Sequence, residues 1–201
     1  MKINKKLIII LSIIVSTLSF SSAKAEDGYM FGGLKVFYYG VKASDLQEIN
    51  TSLIALGFSS SKSSTDNTGI GFDFGVGINL SETLAIEGGY VDYGTLEINT
   101  TLTGPAETVK TEIDGNGFTG AAVLKLGDAS EYAYLKGGFH SWSFTGKVTA
   151  SLGSSSEPLG TGTDPFFAIG VKGNNWFAGY DYYAIEDGDI SSFGVGYSIP
   201  F

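Results

Sequence analysis

This 201-residue chain has a single histidine, the side chain most often used in general acid–base catalysis. His140 lies in the stretch GGFHSWSF. A histidine that activates a serine in a β-strand, as in lipid deacylation, needs a spacing of two, because alternate residues share a face. Ser141 follows at plus one and Trp142 at plus two. We therefore expect a hydrogen-bonded histidine of the interior or rim, and no catalytic residue.

Metal or cofactor binding is not indicated either. One histidine and no cysteine are too few ligands for a transition-metal site. The carboxylates of 186–189 (EDGD) could attract calcium, but a full ligand loop is absent and a solvated acidic hairpin is the simpler interpretation. Residues 115–120 match G-x-G-x-x-G, yet a strand follows where a dinucleotide site needs a helix. We predict no metal and no cofactor.

Seven charged residues that alternate with apolar ones form the remaining candidate site. They are Lys35, Asp73, Glu87, Lys125, Lys136, Lys172 and Asp181. Buried charges are costly unless they are paired. If these side chains point into a narrow barrel, we expect a network of salt bridges. A structural plug is the main interpretation of this lumen charge network, and a narrow ion path or gate is the alternative.

The N-terminus predicts export. Three lysines precede the apolar run 7–20, and Ala23-Lys24-Ala25 supplies an A-x-A cleavage site. The run is shorter than the roughly 20 residues that a membrane-spanning helix needs. We predict a secretory signal peptide over 1–25, cleaved between Ala25 and Glu26, and one domain over 26–201.

The charge of the remaining chain excludes a class of partners. Cleavage would leave 8 of the 12 lysines against 21 acidic residues, a formal net charge of −13, and the chain has no arginine. Nucleic-acid binding depends on cationic side chains that neutralise phosphates. We therefore exclude nucleic acid as a partner. Because cysteine is absent, a disulfide framework is excluded as well.

Alternation of apolar and polar residues predicts strands along the rest of the chain. The 29 glycines and 13% aromatic residues disfavour a helical bundle. Eight strands are predicted, near 28–41, 68–80, 84–97, 114–127, 131–147, 163–173, 175–186 and 189–201. Short turns alternate with long polar connections at 42–67, 98–113 and 148–162.

The two faces of these strands distinguish a membrane barrel from a soluble one. Alternate residues from Ile70 to Leu80 are all apolar, and those between them are glycine, aspartate or asparagine. A soluble sandwich or lipocalin-like barrel would turn its apolar face inward and carry more charge outside than the 16% of this chain. We predict an all-β fold, an eight-stranded antiparallel up-and-down transmembrane β-barrel.

Aromatic residues at strand ends predict the two girdles that border the apolar band of such barrels. Near the short turns the predicted girdle consists of Tyr29, Phe31, Tyr132, Trp176 and Phe201. Toward the long connections it consists of Tyr38, Tyr39, Tyr93, Trp142, Phe166 and Tyr183.

One connection has helical periodicity. Ser44-Asp45-Leu46-Gln47 has the form of a capping box with Ser44 as the cap. Apolar residues follow at helical spacing, namely Leu46, Ile49, Leu53 and Leu56. We predict an amphipathic helix over 44–57 that lies across the barrel mouth or against the outer leaflet. It covers apolar rim surface in the simpler interpretation, and in the other it is a lid or a contact for another molecule.

Three stretches resemble the OmpA-like outer-membrane β-barrel domain, a family that includes small porin-like surface proteins. They are AIEGGYVDYG (85–94), TDPFFAIGVKGN (163–174) and WFAGYDYYAIEDGDISSFGVGYSIPF (176–201). The resemblance implies a barrel in the outer membrane of a Gram-negative bacterium, with periplasmic termini and extracellular loops. It also implies acidic lumen positions at Glu87 and Asp181. Since the chain ends with the last strand, we expect no cell-wall-binding domain.

The C-terminus resembles the assembly signal of that family. The matching residues are Phe193, Val195, Tyr197, Ile199 and Phe201. Pro200 departs from the pattern, because proline lacks the N–H that a strand ladder uses. The implied partners are the barrel-assembly machinery, outer-membrane lipid and lipopolysaccharide.

The predicted function is that of a non-enzymatic surface protein with a role in envelope integrity. Its loops would be available for adhesion, to a host or other surface ligand. The alternative is a narrow channel or a barrel that transports a small apolar ligand. Porin-like passage of nutrients is not expected, because open aqueous channels occur in barrels of roughly 16 to 18 strands.

Overall fold

The computed structural model describes residues 28–55, 60–103, 107–127, 131–151, 153–185 and 188–201. The predicted signal peptide and its cleavage residues Ala23, Ala25 and Glu26 lie outside these described residues.

The described residues form one helix and nine strands of a single antiparallel sheet. The elements are β1 (Gly28–Tyr39), α1 (Ala43–Ala55), β2 (Ser60–Asp66), β3 (Thr68–Asn79), β4 (Leu84–Thr103), β5 (Glu107–Gly127), β6 (Tyr132–Ala150), β7 (Gly153–Lys172), β8 (Trp176–Tyr183) and β9 (Ile190–Pro200). In this part of the chain, no helix has the length and apolar character needed to cross a membrane.

The sheet closes on itself into a ring of eight strands. Neighbours around the ring are β1, β3, β4, β5, β6, β7, β8 and β9, and β9 pairs back to β1. Strand β2 continues the line of β3 beyond Asn67 and pairs with β4 alone. The seam between the first and last strands places Tyr29 opposite Pro200 and Tyr39 opposite Ile190. The predicted eight-stranded antiparallel up-and-down barrel is confirmed.

The exterior of the ring is apolar and exposed. Alternate residues of a strand point to opposite faces, and on β3 the apolar set from Ile70 to Ile78 points outward, with Ile70 77% exposed. Phe118 on β5 and Phe167 on β7 are likewise exposed. The predicted separation of an apolar outer face from an inner face that carries the charges is confirmed.

The prediction of two aromatic girdles is wrong for most of its members. Six of the eleven residues are buried inside the barrel, namely Tyr29, Tyr39, Tyr93, Tyr132, Phe166 and Tyr183. Only Tyr38, Trp176 and Phe201 are exposed on the outside. The distance of a residue from the end of its strand determines how far along the barrel axis its side chain lies. Whether the side chain points into the barrel or out of it depends instead on the alternation along the strand. Tyr38 and Tyr39 show the difference, because they are neighbours in sequence and point in opposite directions.

The three long polar connections are also predicted wrongly. Strands β4 and β5 stay paired from Thr95 opposite Asp114 to Leu102 opposite Glu107. Strands β6 and β7 stay paired up to Ala150 opposite Gly153. The connection 42–67 contains α1 and β2. Serine, threonine and asparagine dominate these segments and are typical of loops, but pairing with a neighbouring strand overrides that local preference.

These extensions build a second structure above the ring, which we call the wall. It consists of β2 and the parts of β4, β5, β6 and β7 at 95–103, 107–116, 141–150 and 153–164. The wall is open, because β7 pairs with β8 only from Phe166 onward and β2 pairs only with β4. It therefore curves around one side of the barrel mouth.

A β-bulge marks the point where β4 passes from ring to wall. Its pairing with β5 shifts between Asp92 and Gly94. Gly94 has φ +76°, a conformation that glycine adopts without strain, and its N–H donates to Asp92 Oδ1 at 2.8 Å. Below the bulge the buried residues of β4 include Val91 and Tyr93, and above it they include Leu96. The bulge thus changes which residues face inward.

Candidate functional site

The most buried charge of the lumen is Lys35 on β1, which is 4% exposed. Its Nζ lies 2.8 Å from Asp73 Oδ2 on β3 and 2.9 Å from Asp181 Oδ2 on β8. It also donates to the Tyr183 hydroxyl at 3.3 Å, and Ser192 Oγ donates to Asp181 at 3.1 Å. Buried ions are tolerated when partners and hydrogen bonds replace their hydration. One ammonium group therefore joins β1, β3 and β8, and Ser192 adds β9 to the cluster through Asp181.

A second cluster lies nearer to the short turns. Glu87 on β4 forms an ion pair with Lys136 on β6 and accepts a hydrogen bond from the Tyr29 hydroxyl at 2.7 Å. The Lys136 ammonium also lies 5.2 Å from the ring centroid of Phe31 and 5.5 Å from that of Tyr134. These distances fit cation–π contacts, which are stronger when desolvated.

The remaining two lysines of the predicted network lie at the turn end of the lumen. Lys172 Nζ sits 4.0 Å from the centroid of the Tyr29 ring. Lys125 donates to the side-chain oxygen of Asn79 and lies 5.4 Å from the centroid of the Tyr132 ring. The structure thus places all seven predicted residues in the lumen. Tyr29 connects two of the groups, because its hydroxyl bonds to Glu87 and its ring contacts Lys172.

The lumen between these groups is filled. Two cavities among the charged clusters have volumes of about 30 and 10 Å³, room for about one or two water molecules. Small residues of β9 make the packing possible. A Cβ on Gly194 would lie 2.7 Å from Lys35 Cγ, so the position has no space for a larger side chain.

His140 belongs to an aromatic layer above the charges. It is fully buried, with Nε2 3.1 Å from the Ala184 carbonyl oxygen and Nδ1 2.6 Å from the Tyr93 hydroxyl. Because a carbonyl oxygen only accepts, Nε2 donates, and a neutral ring then accepts from Tyr93 at Nδ1. Ser141 points outward and is exposed. Both ring nitrogens therefore make structural contacts. The neighbouring serines of β6, Ser141 and Ser143, lie on the opposite face of the strand from His140.

The outer face of the wall carries an ion-pair ladder across β4, β5 and β6. Lys110 Nζ lies 2.7 Å from Glu97 and 2.9 Å from Glu112, and Lys147 lies 3.7 Å from Glu112. The hydrogen bond to Glu97, with a second to Glu112, raises the pKa of Lys110. The hydrogen bond from Lys110 lowers the pKa of Glu112.

The inner face of the wall carries apolar residues interspersed with hydroxylated ones such as Thr100. Leu96, Ile98 and Leu102 of β4 are buried there. Helix α1 lies opposite this face, and none of its residues is buried. The helix contacts β2 of the wall, where Asn50 Oδ1 accepts from Ser61 and Ser63. A cleft of about 610 Å³ lies between the helix and β4 to β6, and a second cleft of about 260 Å³ lies at the barrel mouth.

Helix α1 confirms the predicted helix, with a different N-terminal cap. It begins at Ala43, and the Asp45 carboxylate accepts from the Lys42 backbone N–H at 2.9 Å. Ser44 Oγ instead donates to Asp45 at 3.1 Å. In a capping box, the residue three positions after the cap accepts from the backbone N–H of the cap. Asp45 has this role, with Lys42 as the cap. Leu56, the last residue of the predicted stripe, lies outside the described residues.

The C-terminal segment has the predicted alternation. The five residues matched to the assembly signal are all more than half exposed on the outside: Phe193, Val195, Tyr197, Ile199 and Phe201. Phe201 N–H donates to the Gly28 carbonyl at 2.8 Å. The last residue therefore extends the seam by one hydrogen bond beyond Pro200.

Of the two motifs that were set aside, one lies wholly within the described residues. Residues 115–120 lie within the continuous strand β5, so the helix of a dinucleotide site is absent there. Within the described ranges, no group of three or more histidine or acidic side chains is arranged to hold a metal ion. Glu186 and Asp187 of the acidic hairpin lie outside the described residues.

Sequence reasoning missed the polar partners of the lumen charges. Tyr29, Tyr183 and Ser192 all hydrogen-bond to ionised groups. Their alternation with outward residues such as Met30 and Tyr182 is the signal that could have identified them.

Solved structures provide a comparison for this fold. Ail, the attachment invasion locus protein of Yersinia pestis, aligns with 14% identity over 88% of this chain and 99% of its own, with a TM-score of 0.54. Ail in complex with the heparin analogue sucrose octasulfate aligns with 13% identity over 87% and 98%, with a TM-score of 0.52. The outer membrane protein OprG of Pseudomonas aeruginosa aligns with 10% identity over 88% and 97%, with a TM-score of 0.52.

No protein-family model and no curated protein sequence matches the chain. The structural likenesses show that it has the fold of small outer-membrane β-barrel proteins.

Proposed function

We propose that this chain is a non-enzymatic surface protein of a Gram-negative outer membrane, related to the OmpA-like barrels. The observation that carries the proposal is a closed ring with a lipid-compatible exterior and a lumen filled by side chains, among them the ion pairs of Lys35 and Lys136. A closed barrel satisfies every backbone group within the sheet, so it can lie in hydrocarbon. Its exposed apolar band supports that location, because soluble proteins rarely expose large apolar patches.

The lumen acts as a structural plug. Cavities of about 30 and 10 Å³ support this role over the alternative of a narrow channel. Planar-bilayer recordings should show no discrete conductance for the wild type, for Glu87→Gln or for Lys125→Gln. Steps of conductance that change in Glu87→Gln would favour the channel instead.

The wall and the long hairpins face outward from the cell, and the termini and short turns face the periplasm. Because the chain has no cysteine, single cysteines can report this orientation. Thr145→Cys on the outer face of the wall should react with a membrane-impermeant maleimide on intact cells. The matched variant Glu82→Cys, in an exposed short turn, should react only after permeabilisation. The reverse pattern would overturn the proposed orientation.

Export by a signal peptide cleaved after Ala25 is part of the same proposal. Mass spectrometry of the protein purified from outer membranes should find Glu26 at the N-terminus. An uncleaved N-terminus would contradict it.

Assembly depends on the C-terminal strand. Phe201 lies on the ring exterior and its N–H bonds to Gly28 across the seam. Deletion of Phe201 should lower outer-membrane insertion severalfold and leave export to the periplasm unchanged, as measured by cell fractionation. Replacing Phe201 by tyrosine keeps an aromatic end and should preserve insertion. Unchanged insertion of the deletion variant would rule out an assembly role.

The wall is the surface available for adhesion. The name of Ail describes attachment and invasion, and Ail has been crystallised with a polyanionic heparin analogue. A polyanion is a poor partner for the present chain, because its predicted mature net charge of −13 would repel it. Adhesion through the wall would therefore involve a neutral or cationic surface.

The proposal excludes catalysis by His140. The hydrogen bonds of its two ring nitrogens with the Tyr93 hydroxyl and the Ala184 carbonyl support a structural role. Lipid A processing that His140→Ala abolishes would overturn this part of the proposal.

A further inference from the structure

The cleft between helix α1 and strands β4 to β6 of the wall is open to solvent and lies outside the lumen. Its volume is about 610 Å³, within the range of small-molecule sites, which is about 300 to 1,000 Å³. Ile49 and Leu53 line it from the helix, and Val109 and Val148 line it from β5 and β6. It lies above the ring and is separate from the charged lumen.

The apolar stripe of α1 faces this cleft without closing it. Helices normally bury such a stripe against the rest of the protein. Here Ile49 remains 36% exposed and Val148 remains 43% exposed, and no residue of the helix is buried. Ile49 and Leu53 thus face Val109 and Val148 across a gap that an apolar body could fill, with Ser52, Thr100 and Thr111 also lining it.

The charged residues that line the cleft make its rim negative. Asp45 and Glu48 are its charged lining residues, and Asp45 also lines the neighbouring cleft at the barrel mouth. Asp45 is partly used in capping the helix. Glu48 therefore presents the carboxylate that is available at the rim.

We propose that this cleft binds a small amphiphile with an apolar body and a cationic amine head. The apolar body would fill the gap between Leu53 and Val148, and the ammonium group would lie at Glu48. A carboxylate head would meet like charge at the same rim and would be disfavoured. The site depends neither on the lumen nor on its conductance, so it can fail or hold independently of the proposed function.

Tryptophan fluorescence can measure such binding. The chain has two tryptophans, and Trp142 lines the cleft at the mouth. In a Trp176→Phe background, Trp142 is the only reporter. The barrel in nanodiscs of zwitterionic lipid would be titrated with 4-phenylbutylamine, 4-phenylbutanol and 4-phenylbutanoate, and empty nanodiscs would correct for partitioning into lipid.

The amine should bind saturably and about tenfold more tightly than the carboxylate, because only its head is attracted to the acidic rim. The alcohol should fall between the two. Absence of saturable binding, or equal affinity for amine and carboxylate, would overturn the proposal.

Variants with matched controls locate the site. Glu48→Gln should weaken amine binding severalfold without affecting the alcohol, whereas Glu112→Gln, the same change on the outer face of the wall, should affect neither. Leu53→Ser should weaken all three ligands. Ile54→Ser, on a neighbouring exposed position of the helix that does not line the cleft, should leave them unchanged. Equal effects within either pair would contradict a site in this cleft.

Discussion

The ring and the wall share strands β4 to β7 but have opposite polarity. In the ring, the charges of Lys35, Asp73 and Asp181 point inward and the apolar residues point outward. In the wall, the ion-pair ladder around Lys110 points outward and residues such as Leu96 point inward. The same strands therefore change which kind of side chain they expose as they leave the ring.

This inversion indicates where the surroundings of the barrel change. An apolar exterior is stable against lipid, and a charged exterior is stable against water. In β4 the change coincides with the bulge at Asp92 to Gly94, which shifts the inward positions from odd to even numbers. A single irregularity thus allows one strand to satisfy two environments.

The largest expected effect comes from removing a charge inside the ring. Lys35→Ala leaves Asp73 and Asp181 buried without their cation, which should cost about 3 to 5 kcal/mol of unfolding free energy. Urea unfolding of the barrel in lipid vesicles measures this change. The matched control Lys147→Ala in the wall removes a half-exposed lysine and should cost less than about 1 kcal/mol. Similar losses for both variants would show that the lumen charges are not interdependent.

A charge on the outside of the ring should have the next largest effect. Val195 is 55% exposed on the ring exterior, and Val195→Lys should cost about 2 to 4 kcal/mol if the position lies near the bilayer midplane. Thr145→Lys, on the outer face of the wall, should change stability by no more than about 0.5 kcal/mol. The same urea experiment compares them, and a tolerated lysine at position 195 would contradict a lipid-facing exterior.

An apolar truncation inside the wall should have a smaller effect. Leu102 is 2% exposed, and Leu102→Ala should cost about 2 kcal/mol through lost burial. Hydrogen exchange of the β4–β5 amides is the appropriate measurement, because it detects local opening of the wall separately from unfolding of the ring. Thr101→Ala, one residue away on the exposed face, should leave exchange unchanged. Faster exchange throughout the ring in Leu102→Ala would show instead that ring and wall unfold together.

The smallest effect is the pH dependence of the ladder. Because the folded pKa of Glu112 is below its ordinary value of 4.5, ionised Glu112 stabilises the wall above that pH, and its contribution is lost as the pH falls through the lowered pKa. NMR titration should give a midpoint below 4.5, and Lys110→Gln should raise that midpoint. A midpoint that Lys110→Gln does not move would remove Lys110 as the cause.

The ring could be predicted from the sequence because its two faces differ sharply. The apolar residues from Ile70 to Ile78 alternate with glycine and aspartate. This pattern indicates both that the segment is a strand and which of its residues point outward. The seven lumen charges could be assigned inward by the same rule. Their pairing could not, since Lys35 meets Asp73 and Asp181 only after strands distant in sequence become neighbours.

The wall could not be predicted for the opposite reason. Between Leu96 and Leu102 its inward residues alternate with threonine, asparagine and glutamate, and Thr100 is itself an inward residue. Hydroxylated residues on both faces weaken the contrast that identifies a strand. Similarly, the sequence places Tyr93 and Tyr183 near the ends of their strands toward the long connections. That their side chains point inward follows only from the register of the paired strands.

The position of Lys35 has a consequence for the timing of folding. Its two acidic partners lie on opposite sides of the seam, Asp73 on β3 and Asp181 on β8. The ammonium group gains both partners only when the first strand to be synthesised meets the last. A misaligned closure by one residue would turn it outward. The two ion pairs of this lysine therefore stabilise the closed, correctly aligned ring relative to a ring whose seam is open or misaligned.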